Sequence, residues 1–268
     1  MMRKSVQQIR AAAYRFFRRL LFILPTAVLI GLLVAFFLWS LDALTVLRFA
    51  YPWLLYLLPA AGLLIHFIYQ GVGRSSEKGN DLIIGEIARE NGKIPARMAP
   101  VILATTLITH LFGGSAGREG TAVQIGGSIA SFISKVLHVP KEDIRVLLIA
   151  GMAAGFGAVF GTPLAGAVFA VEVLAIGRIE YRAFLPALAA AVLGDLTVRF
   201  CRVAHTQYTI GHVESGSWFF GGHFHADAFL LIKVVPAAIL FGLTAIIFAR
   251  SVQLVKTGML KLFKHKWL

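Results

Sequence analysis

The sequence predicts an all-α, polytopic membrane protein, and three observations support that class. Hydrophobic residues make up 58% of the 268 residues and charged residues only 15%, whereas an average soluble domain is about 25% charged. Apolar runs of about 20 residues follow one another along the chain, and such a run can cross a hydrocarbon layer of about 30 Å. Basic residues gather at the two ends and in short loops, as they do at the cytoplasmic ends of membrane helices.

The apolar runs give the order of the predicted helices. The run 20–41 follows a basic segment, but it is about twice as long as the apolar part of a signal peptide and lacks a cleavage site, so we predict a retained spanning helix. A turn at 42–48 separates it from the next run. The predicted domains are a basic cytoplasmic segment, 1–19, and one transmembrane domain, 20–268. The predicted helical runs are 20–41, 53–69, 96–112, 121–136, 146–160, 164–176, 183–200 and 228–249.

The net charge of +13 bears on partners and location. In a soluble protein it would suggest nucleic acid, but here basic residues flank apolar runs, so we expect membrane lipids as partners and no nucleic acid. The basic lead-in places the N-terminus in the cytoplasm of a multi-pass inner (plasma) membrane protein. The polar segment 201–227 would face outside, and its histidines, His223 and His225 among them, form only a weak metal pattern. We predict neither a metal nor a cofactor.

A short polar-capped segment lies between the second and third runs. Asn80 or Asp81 is a suitable N-cap, and Gly92 with Pro95 closes the segment. The helix between them is too short to span a bilayer. Two interpretations stay open, a turn on the membrane surface and a re-entrant half-helix.

The stretch 113–127, GGSAGREGTAVQIGG, places Arg118 and Glu119 in a glycine-rich break between two apolar runs. A charged side chain at bilayer depth costs roughly 2.5–3.5 kcal/mol, so we expect such a pair to line a cavity or to have a function. A second break follows at 161–163, Gly-Thr-Pro. Two consecutive broken helices are typical of transporters, although a kinked bundle without a substrate would show the same pattern because Gly and Pro are frequent in membrane helices.

The glycine-rich break can bind an anion at the start of a helix. It lacks the lysine of a nucleotide-binding phosphate loop and the strand that precedes a dinucleotide-binding turn. The free N–H groups and dipole of the helix attract an anion, and Gly117 and Gly120 let the backbone approach it. Ionised Glu119 could block the site, and protonated Glu119 could leave it. The alternative is that Arg118 and Glu119 pair with other groups in a structural network.

Three motif blocks occur in a specific order: GNDLIIGE at 79–86, GREGTAVQIG at 117–126 and GMAAGFGAVFGTPLAGAVFAVE at 151–172. The first resembles a G-S-G-I-P-E segment and the second a GREGP-x-VQ-x-G segment of the CLC family of chloride channels and anion/proton exchangers, and the third resembles the glycine-rich run of the same family. The resemblance implies a fold of tilted, broken and re-entrant helices in two inverted halves, and a homodimer with one pore in each subunit.

The resemblance also implies roles for individual residues. Glu119 matches the gating glutamate, which competes with the anion and carries the proton. Asn80 falls at the central anion site, where the family commonly has serine, and the backbone loop from Gly117 surrounds the outer site. The anion-binding positions implied are Asn80, Asp81, Gly117, Arg118, Gly120 and Thr121.

Three departures from the family pattern narrow the expectation. Asn80 and Thr121, which replace serine and proline, resemble the bacterial fluoride/proton exchanging branch, and two amide donors suit a small, strongly hydrated anion. The internal proton glutamate of chloride exchangers falls on Val173, one residue after Glu172, so either the proton path differs or the protein is a passive channel. The match covers the first inverted half plus one helix, so we expect a fragment or a truncated product.

We therefore expect membrane transport of a halide, with fluoride export coupled to proton entry and Glu119 as the gate. A chloride channel or chloride/proton exchanger of the same family is the first alternative. A truncated, transport-incompetent membrane subunit is the second. An intramembrane enzyme that uses Glu119 and His110 as acid and base is the least favoured alternative, because no nucleophile or metal-ligand set accompanies them.

Overall fold

A computed structural model describes residues 2–89, 93–173, 180–205 and 228–262 of the chain, and within these ranges it contains helices and no strand. The chain divides into two compact units, Met1–Thr206 and Gln207–Leu268. Five described helical segments are long and apolar enough to cross a membrane. These features confirm the prediction of an all-α membrane protein.

The α-helices are α1 (Met2–Ala50), α2 (Leu58–Ile68), α3 (Asn80–Ala88), α4 (Met98–Leu111), α5 (Arg118–Val136), α6 (Lys141–Phe160), α7 (Pro163–Glu172), α8 (Tyr181–Phe200) and α9 (Ala228–Leu262). Among the described residues, the first unit contains the α-helices α1 to α8, and the second unit contains α9. A 3-10 helix connects α1 to α2, and a π turn followed by a second 3-10 turn connects α2 to α3.

The first helix is much longer than the sequence predicted. A single α-helix runs through both the basic segment 1–19 and the predicted turn 42–48, so the turn prediction is wrong. Asp42 and Arg48 do not interrupt a helix, and the first strong helix breaker after them is Pro52, which disfavours the helical conformation of the preceding residue. The helix therefore ends at Ala50, two residues before Pro52.

The second apolar run is a distorted helix rather than one regular span. A 3-10 helix, Pro52–Leu57, leads into α2, and a π turn, Tyr69–Gly73, follows it before a second 3-10 turn, Arg74–Ser76. Together with α3 this segment contains an apolar stretch that is long enough to cross a membrane. Mid-helix turns of the 3-10 and π types mark local departures from the regular hydrogen-bond pattern.

Small residues let α5 and α6 approach closely, as the sequence predicted. A Cβ added to Gly126 would overlap the carbonyl oxygen of Gly151, and one added to Gly155 would overlap the carbonyl oxygen of Ala122. Because the backbones themselves are in contact, a larger side chain at these positions would push the two helices apart. This contact fixes α5, which carries the candidate site, against the buried helix α6.

The N-terminal end of α6 is held by arginines of α1. Asp143, whose side chain is 2% exposed, accepts hydrogen bonds from Arg18 Nη2 at 2.6 Å and Arg19 Nε at 2.7 Å. Glu142 accepts a further bond from Arg18 at 2.6 Å. Two of the basic residues that the sequence assigned to lipid headgroups therefore bind protein carboxylates, and the acidic first turn after Pro140 is confirmed.

The second predicted break, at 161–163, is confirmed. Gly161 ends α6 in the left-handed conformation, with a φ of +69°, and α7 begins at Pro163. His205 packs against Gly161 and its Nε2 lies 3.2 Å from Asp195 Oδ1. His205 therefore connects the C-terminal end of α6 to α8.

The second unit is described only through α9. This helix is longer than the predicted run 228–249 and contains one apolar stretch long enough to span a membrane. His223 and His225 lie outside the described residues. Within the described ranges no three His, Cys, Asp or Glu side chains gather as a metal site requires.

Candidate functional site

The glycine-rich motif surrounds the start of α5, and this helix begins earlier than predicted. Gly117 is the N-cap with extended backbone, φ −71° and ψ 135°, and the helix starts at Arg118 instead of residue 121. Arg118 and Glu119 therefore form the first turn of the helix. The break is confined to the loop before Gly117, because arginine and glutamate are good helix formers.

The beginning of α5 has the features of an anion site. The first four N–H groups of a helix have no partner within it, and no side chain caps α5. The helix dipole adds roughly half a positive charge at this end. None of the ion pairs between described residues includes Arg118 or Glu119. The described part of the chain thus gives no support to the structural ion-pair network that the sequence left open.

The Glu119 side chain folds back over the helix N-terminus. Its Oε2 lies so close to Gly117 that a Cβ added there would be 2.6 Å from it. Only glycine at position 117 leaves room for the carboxylate in this orientation. The negative group of Glu119 therefore lies beside the end of α5 that attracts negative charge.

The short helix α3 begins at Asn80, and its N-cap is Gly79 rather than Asn80 or Asp81, which corrects the predicted cap. Gly79 has a φ of +55° and a ψ of −129°, a conformation that glycine adopts far more readily than other residues. Ile83 and Ile87 are fully buried, and Ile83 packs against Gly127 of α5. This burial within the helical body favours the re-entrant interpretation over a surface turn.

The N-termini of α3 and α5 meet, and their contact brings two predicted site residues together. A Cβ added to Gly120 would lie 3.4 Å from Asn80 Nδ2 and 3.9 Å from Gln124 Nε2. A Cβ added to Gly79 would lie 3.4 Å from the same Gln124 nitrogen. Two side-chain amides therefore border the space between the helices.

In the sequence, Gln124 stands out only as a member of the second motif block. It lies one helical turn after Gly120, so both residues are on the same face of α5. It is the polar residue among apolar and small neighbours, and its residue surface is 8% exposed. That combination of position and polarity is the sequence signal that could have identified it.

Thr121 and Asp81 have protein partners for one of their polar groups each, the Thr121 hydroxyl and the Asp81 backbone N–H. The Thr121 side chain is buried, and its Oγ1 lies 2.8 Å from Oγ1 of Thr106 on α4 and 3.4 Å from the Gly117 carbonyl oxygen. The Asp81 N–H donates to the Lys78 carbonyl at 3.2 Å. Thr106 is a partner that the sequence did not indicate. The predicted anion contacts of Thr121 and Asp81 stay predictions.

The loop before α5 is held by His110. Its Nε2 lies 3.1 Å from the Ala116 carbonyl oxygen, and since a carbonyl only accepts, the ring donates this hydrogen bond. His110 therefore connects the end of α4 to the residue before Gly117. The enzyme alternative required His110 to act as an acid or a base. In the described structure its Nε2 instead makes a hydrogen bond to the backbone.

Comparisons with known proteins agree on one family. The family model described as voltage gated chloride channel matches residues 61–268. A "Chloride/fluoride channel protein" of Pseudomonas syringae pv. tomato is 45% identical over 225 residues, which cover 84% of this chain and 48% of that protein. The "H(+)/Cl(-) exchange transporter ClcA" of Vibrio cholerae is 37% identical over 105 residues, which cover 36% of this chain and 22% of that protein.

A solved structure has the same fold. The crystal structure of a CLC-type fluoride/proton antiporter matches with a TM-score of 0.82 and 31% identity, over 95% of this chain and 62% of that one. This chain spans about half the length of its Pseudomonas relative. The relatives are channels and transporters, which confirms the prediction that this protein is not an enzyme. The chain belongs to the voltage-gated chloride channel family, also called the CLC family.

Proposed function

We propose that this protein exports fluoride across the membrane in exchange for protons, with Glu119 as the gate. The observation that carries the proposal is the position of the Glu119 carboxylate, which folds back over the N-terminus of α5 next to Gly117. An anion drawn to the same N–H groups would compete with that carboxylate for one position. The competition is a physical basis for coupling the anion to the proton.

The gate works through two protonation states. Ionised Glu119 occupies the helix N-terminus and excludes the transported anion. Protonated Glu119 is neutral, loses its attraction to the helix dipole and moves away, which admits the anion. Each cycle of anion passage then requires the glutamate to take up and release one proton.

Asn80 is the proposed central ligand. Its Nδ2 borders the space beside Gly120, and a primary amide offers two N–H donors. Fluoride is small and strongly hydrated, so entry into the site requires replacement donors. The backbone from Gly117 to Thr121 supplies further N–H groups, with Arg118 and Gly120 in the first turn. The name of the solved antiporter supports fluoride, whereas the name of the Pseudomonas relative includes both chloride and fluoride.

One observation favours a passive channel as the second candidate. Val173, at the position of the internal proton glutamate in chloride exchangers, is an apolar residue at the end of α7 that packs against the core. It cannot carry a proton. Coupled exchange would require protons to reach Glu119 by another route, whereas a passive channel requires no such route.

Assembly and orientation are part of the proposal. The exposed apolar side chains of α8 share one face of that helix. We propose that a second copy of the protein covers this face in a homodimer. Lipids would surround the other exposed apolar surfaces. The N-terminus is proposed to be cytoplasmic in a plasma membrane. The residues of this face are Tyr181, Leu185, Val192, Leu196 and Phe200.

The test is ion flux from liposomes that contain the full-length protein and are loaded with fluoride or chloride. A fluoride electrode and an external pH probe then report anion efflux and proton uptake together. We expect fluoride efflux with proportional proton uptake. Fluoride efflux without proton uptake would show a channel, and chloride efflux as fast as fluoride efflux would contradict the fluoride assignment. A folded protein that moves neither ion would support the transport-incompetent subunit.

A further inference from the structure

Gln124 is a buried amide at the junction of two helix N-termini. The residue is only 8% exposed, and its carboxamide lies over Gly79, the N-cap of α3, with Nε2, Cδ and Oε1 at 3.4, 3.8 and 3.9 Å from the position of an added Cβ. The same Nε2 is 3.9 Å from the corresponding position at Gly120 in the first turn of α5. The amide therefore faces the N-terminal ends of both helices.

No hydrogen bond joins the Gln124 side chain to another residue in the described ranges. Thr106 and Thr121, which are equally buried nearby, bond to each other at 2.8 Å. The amide atoms of Gln124 are not among the fully enclosed polar atoms that lack a partner, so they keep a small accessible surface that a ligand can reach. A ligand between α3 and α5 would supply the missing partner.

We propose that the Gln124 side-chain N–H groups bind the transported halide, as a second amide opposite Asn80, and that this pair determines the affinity of the site. The inference rests on the halide transport proposed above. Both amide nitrogens lie within 4 Å of one position beside Gly120, so an anion there could accept from both side chains. Glycine at 79 and 120 keeps this space free of side-chain atoms.

A structural role and an anion-binding role of Gln124 predict different effects of its replacement on stability. If Gln124 joined α3 to α5, its replacement by an apolar residue of similar size would destabilise the protein without ligand. If it serves the anion, the same replacement removes no hydrogen bond between described residues and leaves the ligand-free protein about as stable as the wild type. Stability without halide therefore distinguishes the two roles.

The experiment compares Gln124→Met, Gln124→Glu and the control Gln70→Met in the full-length protein. Gln70 is exposed, and its Nε2 lies 3.1 Å from Nε2 of His66. Fluoride affinity is measured by titration calorimetry, and thermal unfolding is followed with and without sodium fluoride. We expect the dissociation constant of Gln124→Met to rise roughly tenfold to a hundredfold, as for loss of one hydrogen bond to a charged group. Gln124→Glu, which keeps the shape but adds negative charge, should weaken binding further, and Gln70→Met should not change it.

Wild-type fluoride affinity in Gln124→Met would overturn the inference, as would a loss of stability without fluoride at unchanged affinity. If Gln124→Met does not fold, wild-type affinity in Gln124→Glu would overturn it equally. A failure of the proposed function looks different: the wild type would bind fluoride in a Gln124-dependent way but move none from liposomes. Fluoride transport with no dependence on Gln124 would contradict this inference alone.

Discussion

The carboxylate of Glu119 lies against the Cα of Gly117, close enough that a single added methyl group at position 117 would be 2.6 Å from Glu119 Oε2. The backbone of Gly117 itself is extended and has a negative φ, −71°, so alanine fits there without backbone strain. The constraint on position 117 is therefore imposed by the glutamate and not by the turn.

Gly117→Ala should displace the Glu119 carboxylate from the helix N-terminus. We expect anion passage that depends less on Glu119 protonation, because the displaced carboxylate no longer competes with the anion. In the liposome assay fewer protons should enter for each fluoride that leaves. The measurement is the ratio of proton uptake to fluoride efflux.

Gly62→Ala is the matched control for this change, since it adds the same methyl group to a helical glycine with no atom nearby. It should leave the ratio at the wild-type value. A wild-type ratio in Gly117→Ala would show that the contact with Glu119 has no role in gating.

Glu119→Gln tests the gate directly. Glutamine has the shape of a protonated glutamate but cannot exchange a proton at neutral pH. Proton uptake during fluoride efflux should therefore fall to the level of liposomes without protein, while the anion still passes. The pH probe in the efflux assay records this loss.

Glu77→Gln makes the same chemical change at an exposed glutamate outside the site, and it should couple protons as the wild type does. Unaltered proton coupling in Glu119→Gln would remove Glu119 from the proton path.

Asn80→Ser should reduce the preference for fluoride over chloride. The change replaces two amide donors by one hydroxyl donor, and one hydrogen bond to a charged group contributes about 1.5–3 kcal/mol, so the preference should fall roughly tenfold or more. Relative efflux rates of the two halides from identical liposomes give the selectivity.

Asn80→Asp provides the matched comparison, because it keeps the size of the side chain and replaces its donors by an ionised acceptor. It should oppose both halides, whereas Asn80→Ser should keep chloride passage. Equal selectivity of Asn80→Ser and wild type would assign the fluoride preference to another residue.

The helical class and the order of the helices follow from the apolar runs, but their ends do not. Asp42 and Arg48 suggested a loop by their charge, yet the helix continues to Ala50 because neither residue prevents helical geometry. The sequence pattern predicts Arg118 before the helix, whereas the structure shows that it is the first helical residue. In both cases the polar residues suggested the position of a helix end. The actual ends are set by the backbone conformation at Pro52 and Gly117.

The site was harder to predict than the helices, because its residues come from different helices and meet only when those helices pack together. Nothing in the residues themselves brings Asn80 to Gly120, which is forty positions away, and only the family resemblance implied that they belong to one site. The contact between Gln124 and Gly79 depends on how α3 packs on α5. A single sequence shows that Gln124 is polar in an apolar helix but not which space its amide faces.

The hydroxyl pair of Thr106 and Thr121 should stabilise the first turn of α5. Thr121→Val keeps the shape but leaves Thr106 Oγ1 buried and without the partner that lies at 2.8 Å. We expect a loss of about 1–3 kcal/mol in the free energy of unfolding, the usual cost of an unsatisfied buried polar group. Thr106→Val should cost less, because Thr121 keeps the Gly117 carbonyl at 3.4 Å.

The double variant distinguishes this contact from general packing. With both hydroxyls removed no unpaired polar group remains, so the loss should be smaller than the sum of the two single losses. Thr109→Val is the control on α4, because among the described residues the Thr109 hydroxyl bonds to the Thr105 carbonyl of its own helix and to no other group. It should cost less than Thr121→Val. Unfolding followed by tryptophan fluorescence gives all four values. Strictly additive losses would show that the two hydroxyls do not stabilise each other.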